Sequence, residues 1–276
     1  MFRLYGFFGI LVVVLMEINF FVKSQPFANW YFPIIWFGFI LTVDAINKKI
    51  SGKSLISNNF SKFLGIVIIS GLFWWIFEIA NLGVGNWAYQ GLNFKNATVR
   101  FIFGTLSFST VLPAFFEVYE LIRNIHLFDN KKLKKKHDIN KTFLHWMIGF
   151  GVLSLILPVL LPKFAFPLVW LSFFLILDPI NYLHKQPSII QHLKDRKLAI
   201  PLSLLLAGII MGIFWEFWNY WAIPKWIYNV PFVGFFKIFE MPILGYFGYF
   251  PFAFELYTMY FFVQSLFLKK EKLLVS

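Results

Sequence analysis

The sequence predicts an all-α integral membrane protein: eight transmembrane helices arranged as two tandem four-helix repeats in parallel orientation. Three observations carry that reading. Hydrophobic residues make up 59% of the chain and charged residues only 14%, against a charged share of about 25% in soluble domains. Apolar stretches of about 18 to 25 residues, long enough to cross a hydrocarbon core of roughly 30 Å as helix, recur along the chain. The chain also contains itself twice, in four collinear matches. Phe32-Pro33-Ile34-Ile35-Trp36, with Asp44 and Asn47 beyond it, returns 134 residues later as Phe166-Pro167-Leu168-Val169-Trp170 with Asp178 and Asn181. Gly71-Leu72-Phe73-Trp74 with Glu78 returns 141 residues on as Gly212-Ile213-Phe214-Trp215 with Asn219, and Asn86-Trp87-Ala88-Tyr89 returns as Lys225-Trp226-Ile227-Tyr228. Pro113, Glu117 and Tyr119 recur at an offset of 138 as Pro251, Glu255 and Tyr257.

In chain order, the first span, 4–22, has the basic start and apolar run of a signal peptide. Glu17 and Asn19 interrupt its far end and no small-x-small cleavage site follows, so a retained helix is expected. The second, 30–47, ends at Asp44 and Asn47. The third, 63–81, carries Trp74, Trp75 and Glu78, and a loop with Trp87 and Tyr89 follows. The fourth, 101–123, holds Pro113 and Glu117. Residues 1–125 thus form the first repeat. Lys131-Lys132-Leu133-Lys134-Lys135-Lys136 lies in a linker, 126–142, whose charge suits anionic headgroups on the cytoplasmic leaflet. The second repeat, 143–268, contains spans at 143–162, at 166–183 (ending on Asp178 and Asn181), at 199–222 (Trp215, Glu216, Trp218 and Asn219) and at 244–268 (Pro251, Glu255 and Tyr257). Residues 269–276 form a tail. An even number of helices per repeat makes the halves parallel.

Short cytoplasmic loops retain Lys and Arg. With the N-terminus inside, nineteen basic residues fall on the inner side and six (Lys23, Lys95, Arg100, Lys163, Lys225 and Lys237) on the outer side. Both termini are therefore expected in the cytoplasm of a multi-pass cell-membrane protein. The net charge of +12 is explained by these flanking loops, and no nucleic-acid partner is expected.

The chain has no cysteine, which excludes disulfides, thiolate metal ligands and a cysteine nucleophile. Its five histidines form no i, i+4 pair within a span, and there is no phosphate loop, nucleophile elbow or dinucleotide fingerprint. No metal and no cofactor are expected. The chemistry falls to carboxylates, amides and aromatic rings.

Eight acids, Glu17, Asp44, Glu78, Glu117, Glu120, Asp178, Glu216 and Glu255, lie in or at the ends of predicted spans. A carboxylate near the bilayer centre costs at least about 2.5 kcal/mol, so each is expected paired, hydrated or protonated inside the bundle. Glu117 and Glu255 each follow a proline by four residues, one turn beyond an expected kink. Glu216 and Asn219, three apart on one helix face, are expected to hydrogen-bond as a unit. The tryptophans are equally an interfacial belt, and the Trp-x-Tyr loops either fold back as lids or rest in the interface. Asp44 with Asn47, and Asp178 with Asn181, are equally helix-end polar groups. Glu17 and Glu120 have no repeat mates.

An apolar cavity lined by aromatic rings and holding one or two protonated carboxyls suits a hydrocarbon that reacts through a carbocation. The order Glu216, Trp226-Ile227-Tyr228, Glu240-Met241-Pro242 and Pro251 to Glu255 resembles that of the membrane-embedded lycopene cyclases of the bacterial heterodimeric and fungal fused type. In those proteins a helical acid, a Trp-x-Phe/Tyr loop and a Pro-x-Glu-Glu-like motif follow one another. The likeness covers about 200–265 and, more faintly, 65–123. The Glu-Glu pair is missing, since Pro242 is followed by Ile243 and Leu244. The resemblance implies a related carotenoid or polyprenoid lipid role, and the acids and rings together lean toward a cofactor-independent acid–base isomerase or cyclase acting on an isoprenoid or other lipid.

On that reading Glu216, Glu255, Glu117 and Glu78 are the catalytic candidates. Trp215, Asn219, Trp226, Tyr228, Trp74, Trp87, Tyr257, Asp178 and Asn181 are the substrate-binding ones. The two repeat sites are expected to have diverged, with Glu78 opposite Asn219 and Trp75 opposite Glu216, and the C-terminal half is preferred. A proton-coupled transporter or channel, with Glu117 and Glu255 titrating, and a structural membrane subunit are the competing classes.

Overall fold

The computed structural model describes residues 2–135 and 138–267; the predicted tail, 269–276, and Lys136 of the basic run lie outside them. The described residues are mostly helical. The elements in order are α1 (Leu4–Val22), α2 (Tyr31–Ser51), α3 (Leu55–Asn58), α4 (Phe60–Val84), β1 (Trp87–Gln90), α5 (Ala97–Phe108), α6 (Val111–Asn124), α7 (Lys141–Leu160), α8 (Pro162–Ala165), α9 (Val169–Leu183), α10 (Ile189–Lys194), α11 (Ala199–Trp221), β2 (Lys225–Tyr228), β3 (Lys237–Ile238), β4 (Met241–Pro242) and α12 (Tyr249–Phe267). The strands form two antiparallel two-stranded ribbons, β1 with β2 and β3 with β4, which the all-α expectation did not include.

Among the described residues, six segments are long and apolar enough to cross a membrane: Leu4–Val22, Phe60–Val84, Ala97–Asn124, Lys141–Leu160, Pro162–Leu183 and Ala199–Trp221. Two further helices, α2 and α12, have comparable length but fall outside that set. Both are rich in buried residues, including Asp44 and Asn47 on α2 and Glu255 and Gln264 on α12. A helix shielded by its neighbours can carry polar groups that a lipid-facing helix cannot. By contrast, α1, α4 and α7 expose large apolar side chains along their length, among them Phe7, Leu11, Ile68, Leu72, Phe150 and Leu153, as a lipid-facing periphery does.

Close approach is made by small residues. A Cβ on Gly9 of α1 would stand 2.6 Å from the carbonyl oxygen of Gly38 on α2, and one on Gly208 of α11 would stand 2.7 Å from that of Tyr249 on α12. The core between these helices is aromatic, with Trp36, Phe77, Phe115, Phe116, Tyr119, Tyr257, Tyr260 and Phe261 fully buried.

The two predicted spans that carry Pro-x-x-x-Glu are not continuous α-helices. The stretch 101–123 is interrupted at Ser109 and Thr110, just before Pro113, which lacks an N–H and clashes with the preceding turn; Ser109 Oγ and Thr110 Oγ1 bond back to the carbonyls of Leu106 and Ser107. The stretch from 244 begins as 3₁₀ turns over Ile243–Gly248, and α12 starts only at Tyr249, two residues before Pro251. Each proline therefore sits in the first turn of a helix and does not kink a helix interior.

Candidate functional site

An open cavity of about 940 Å³ lies between the two halves of the chain, lined by residues of both. This is near the upper end of the ~300–1,000 Å³ typical of small-molecule sites. One wall is the β1–β2 ribbon. Its register pairs Trp87 with Tyr228 and Tyr89 with Trp226. Alternation along each strand, with directly opposed residues sharing a face, puts all four rings on one side of the ribbon, and all four line the cavity. The Trp-x-Tyr loops thus fold back over the bundle.

Two asparagines hold the ribbon. Asn81 Nδ2 donates to the carbonyl of Trp87 at 2.8 Å, and Asn81 Oδ1 accepts from the backbone N–H groups of Asn86 and Trp87. Asn219 does the same for β2: its Nδ2 donates to the Trp226 carbonyl at 2.8 Å and its Oδ1 accepts from the Trp226 N–H at 2.9 Å. Asn219, expected to hydrogen-bond with Glu216 and named as a substrate-binding candidate, instead bonds the Trp226 backbone and does not line the cavity.

One turn earlier on each helix stands a glutamate. Glu78 Oε1 accepts from Trp74 Nε1 at 2.9 Å, Trp87 Nε1 at 3.0 Å and Tyr89 OH at 2.5 Å, and Glu78 itself lines the cavity. Glu216 Oε1 accepts from Tyr228 OH at 2.6 Å and Tyr249 OH at 2.7 Å; Trp226 Nε1 donates in turn to Tyr228 OH at 2.7 Å. Glu216 is fully buried behind these two tyrosines, and its Oε2 has no hydrogen-bond partner among the described residues. Burial, with the adjoining carboxyl, pushes the hydroxyls of Tyr89 and Tyr228 well above their ordinary value, so both stay protonated donors.

These bonds match Glu78 with Glu216 and Asn81 with Asn219, an offset of 138, and correct the pairing of Glu78 with Asn219 at 141. The motif in both halves is Glu-x-x-Asn followed by Trp-x-Tyr. Asn81, missed in the sequence, was visible as the fourth residue of that motif. Tyr249 had no such signal, because its counterpart two residues before the other proline is Val111. Aromatic rings form a further part of the wall: Trp170, which stacks on Phe77 behind it at 5.3 Å, meets Trp87 at 5.6 Å, while Phe252 lies 5.5 Å from Trp170 and 5.9 Å from Trp215.

The other candidates lie elsewhere. Asp178 accepts from the N–H groups of Ile189 at 2.7 Å and Ile190 at 2.9 Å, at the start of α10. Asp44 accepts from Ile56 N and Ser54 Oγ, both at 2.8 Å, and from Tyr5 OH. Asn181 Nδ2 donates to the Thr258 carbonyl at 2.9 Å, and Asn47 Nδ2 to the Glu117 carbonyl at 2.9 Å and to Glu117 Oε2 at 2.8 Å. Glu255 Oε1 accepts from Phe173 N at 2.8 Å. Tyr257 OH meets His192 Nε2 at 3.0 Å. None of these groups lines the cavity; they tie helices to one another.

Among the described residues, no three His, Cys, Asp or Glu side chains stand close enough to hold a metal ion. No family model, curated protein or solved structure matches the chain.

Proposed function

We propose that this chain is a multi-pass membrane enzyme that carries out acid–base chemistry, without a cofactor, on an isoprenoid or other apolar lipid held in the aromatic cavity, with Glu78 and Glu216 as the proton-handling groups. The observation that carries the proposal is Glu78. One of its oxygens is clamped by three ring donors on the wall of a cavity rich in aromatic rings, so its orientation is fixed before any ligand arrives. Glu216 stands one hydrogen bond behind that wall through Tyr228 and Tyr249, so that a tyrosine hydroxyl can pass a proton between acid and cavity. Indole and phenol faces lining the cavity suit a developing carbocation. Glu117 and Glu255 take the role of fasteners in this reading, which favours an enzyme over a proton-coupled carrier built on them.

The membrane topology that accompanies the proposal is eight spans in two parallel repeats, both termini cytoplasmic, with the basic linker against anionic headgroups. Equivalent bonding in the two halves supports it. Ser54-Leu55-Ile56 and Ser188-Ile189-Ile190 lie 134 apart, as do the aspartates they bond. Helix pairs correspond as well: α1 packs on α2 as α7 does on α9, α2 on α6 as α9 on α12, and α4 on α6 as α11 on α12.

The test is extraction and mass-resolved chromatography of pigments and neutral lipids from a lycopene-producing bacterial host, with and without the chain. A new isoprenoid product is expected, falling by about 10²–10⁴-fold in Glu78→Gln and Glu216→Gln and persisting in Glu255→Gln at matched membrane levels. An unchanged lipid profile with good membrane expression removes the cyclase-like reading.

A further inference from the structure

Among the described residues lining the cavity, only three carry charge: Glu78, Arg100 and Lys163. The two cations differ from Glu78 in placement. Both are exposed, so they stand at the opening, whereas Glu78 is partly buried and held by its three donors. Neither cation forms an ion pair among the described residues. Arg100 makes one long hydrogen bond, 3.3 Å from Nη1 to the Phe94 carbonyl, and Lys163 Nζ lies 5.7 Å from the centre of the Phe232 ring, itself part of the lining. Helix stability does not explain Arg100, because it falls in the first turn of α5, where the helix dipole disfavours a cation. Loop topology does not explain the pair either: both belong to the six basic residues on the side that retains fewest. A third of those six, Lys225, is already neutralised by Glu240 at 2.6 Å.

We infer that the ligand of this cavity is an anionic amphiphile, with its hydrocarbon chain among the aromatic rings and a phosphate or carboxylate head at the opening, between Arg100 and Lys163. The inference rests on the reading of the cavity as the substrate site and adds the head-group chemistry. Guanidinium and ammonium donors make charge-assisted bonds to either head, about twice as strong as neutral ones, while a long chain without a head would leave both cations facing water. Two exposed cations on a cavity whose one other charged lining residue among the described residues, Glu78, is already held by three donors suit one head on one chain.

The test is binding to the purified full-length chain in a non-ionic detergent, read by quenching of the tryptophans that line the cavity. Geranylgeranyl phosphate is compared with geranylgeraniol, and palmitate with hexadecanol. The expected result is that at least one anion binds about tenfold or more tighter than its own alcohol, that the gap closes in the Arg100→Gln/Lys163→Gln variant, and that it narrows with added NaCl in the unaltered protein. Preference in the first pair alone identifies a phosphate head and in the second alone a carboxylate. Equal binding of anion and alcohol overturns the head-group inference and leaves the cavity reading standing. A preference that survives in the double variant, or is insensitive to salt, also overturns it. Failure of all four ligands to bind overturns the cavity reading itself. The salt titration needs no variant, so the inference is decided even where the substitutions prevent folding.

Discussion

At the scale of the residue, duplicated acids of similar sequence context do different work. Glu78 and Glu216 meet indole and phenol donors at the cavity wall, whereas Glu117 and Glu255 meet amide groups of neighbouring helices. His192 offers a pH-dependent prediction outside the spans. It is partly buried against Tyr257, and burial lowers it from its ordinary 6.5 to about 4, with Lys197 and Arg123 acting in the same direction and Asp195 opposing. Between those values the unfolded chain takes up a proton that the folded chain refuses, so stability is full above about pH 6.5, declines as the pH falls and levels off near 4, a contribution of at most about 3 kcal/mol. Thermal unfolding in detergent from pH 7.5 to 4 is expected to show this decline, and His192→Gln to flatten it. An identical slope in the variant assigns the acid lability to other groups.

At the scale of the element, short helices are fixed by aspartates from the preceding long ones. Asp178 receives the first N–H groups of α10, which a helix start leaves without partners, and Ser188 caps the same helix. Removing the acceptor leaves two buried donors unmet, at about 1–3 kcal/mol each. Asp178→Ala is therefore expected to lower the thermal midpoint by several degrees and to speed hydrogen exchange at the amides of Ile189 and Ile190, with Asp178→Asn in between. Unchanged exchange at those two amides would contradict the anchoring role. The basic linker is also held: Leu133 N bonds the Arg196 carbonyl and Leu198 N the Lys131 carbonyl, which gathers Lys131, Lys132, Arg196 and Lys197 into one patch.

At the scale of the molecule, the central question is how many helices cross the bilayer. Eight spans put the loop after α1 and the loop after α2 on opposite sides, whereas the six most apolar segments alone would leave α2 on one side and put both loops together. The absence of native cysteine makes labelling direct. In intact cells, a membrane-impermeant maleimide is expected to label Ser24→Cys and Lys95→Cys but not Lys53→Cys or Lys132→Cys until the membrane is opened. Labelling of Ser24→Cys and Lys53→Cys alike would exclude the eight-span arrangement.

The sequence by itself determined the membrane character, the helical class and the positions of most long helices, because these follow from local apolar composition and length, which do not depend on partners. It also marked the Trp-x-Tyr pairs and the acids, since a polar group in an apolar helix stands out wherever it lies. Only the tertiary structure decided which acids stand at or just behind the cavity wall. Asp44, Asp178, Glu117 and Glu255 looked no different from Glu78 and Glu216 along the chain; their partners are 10 to 83 residues away, and a partner's chemistry is not local information. The correct pairing of Glu78 with Glu216 likewise came from where two asparagines hold two strands, and the strands themselves exist only because the halves bring Trp87 and Tyr228 side by side. Four-residue strands with no sheet of their own leave too weak a periodic signal to be read before their partner is known.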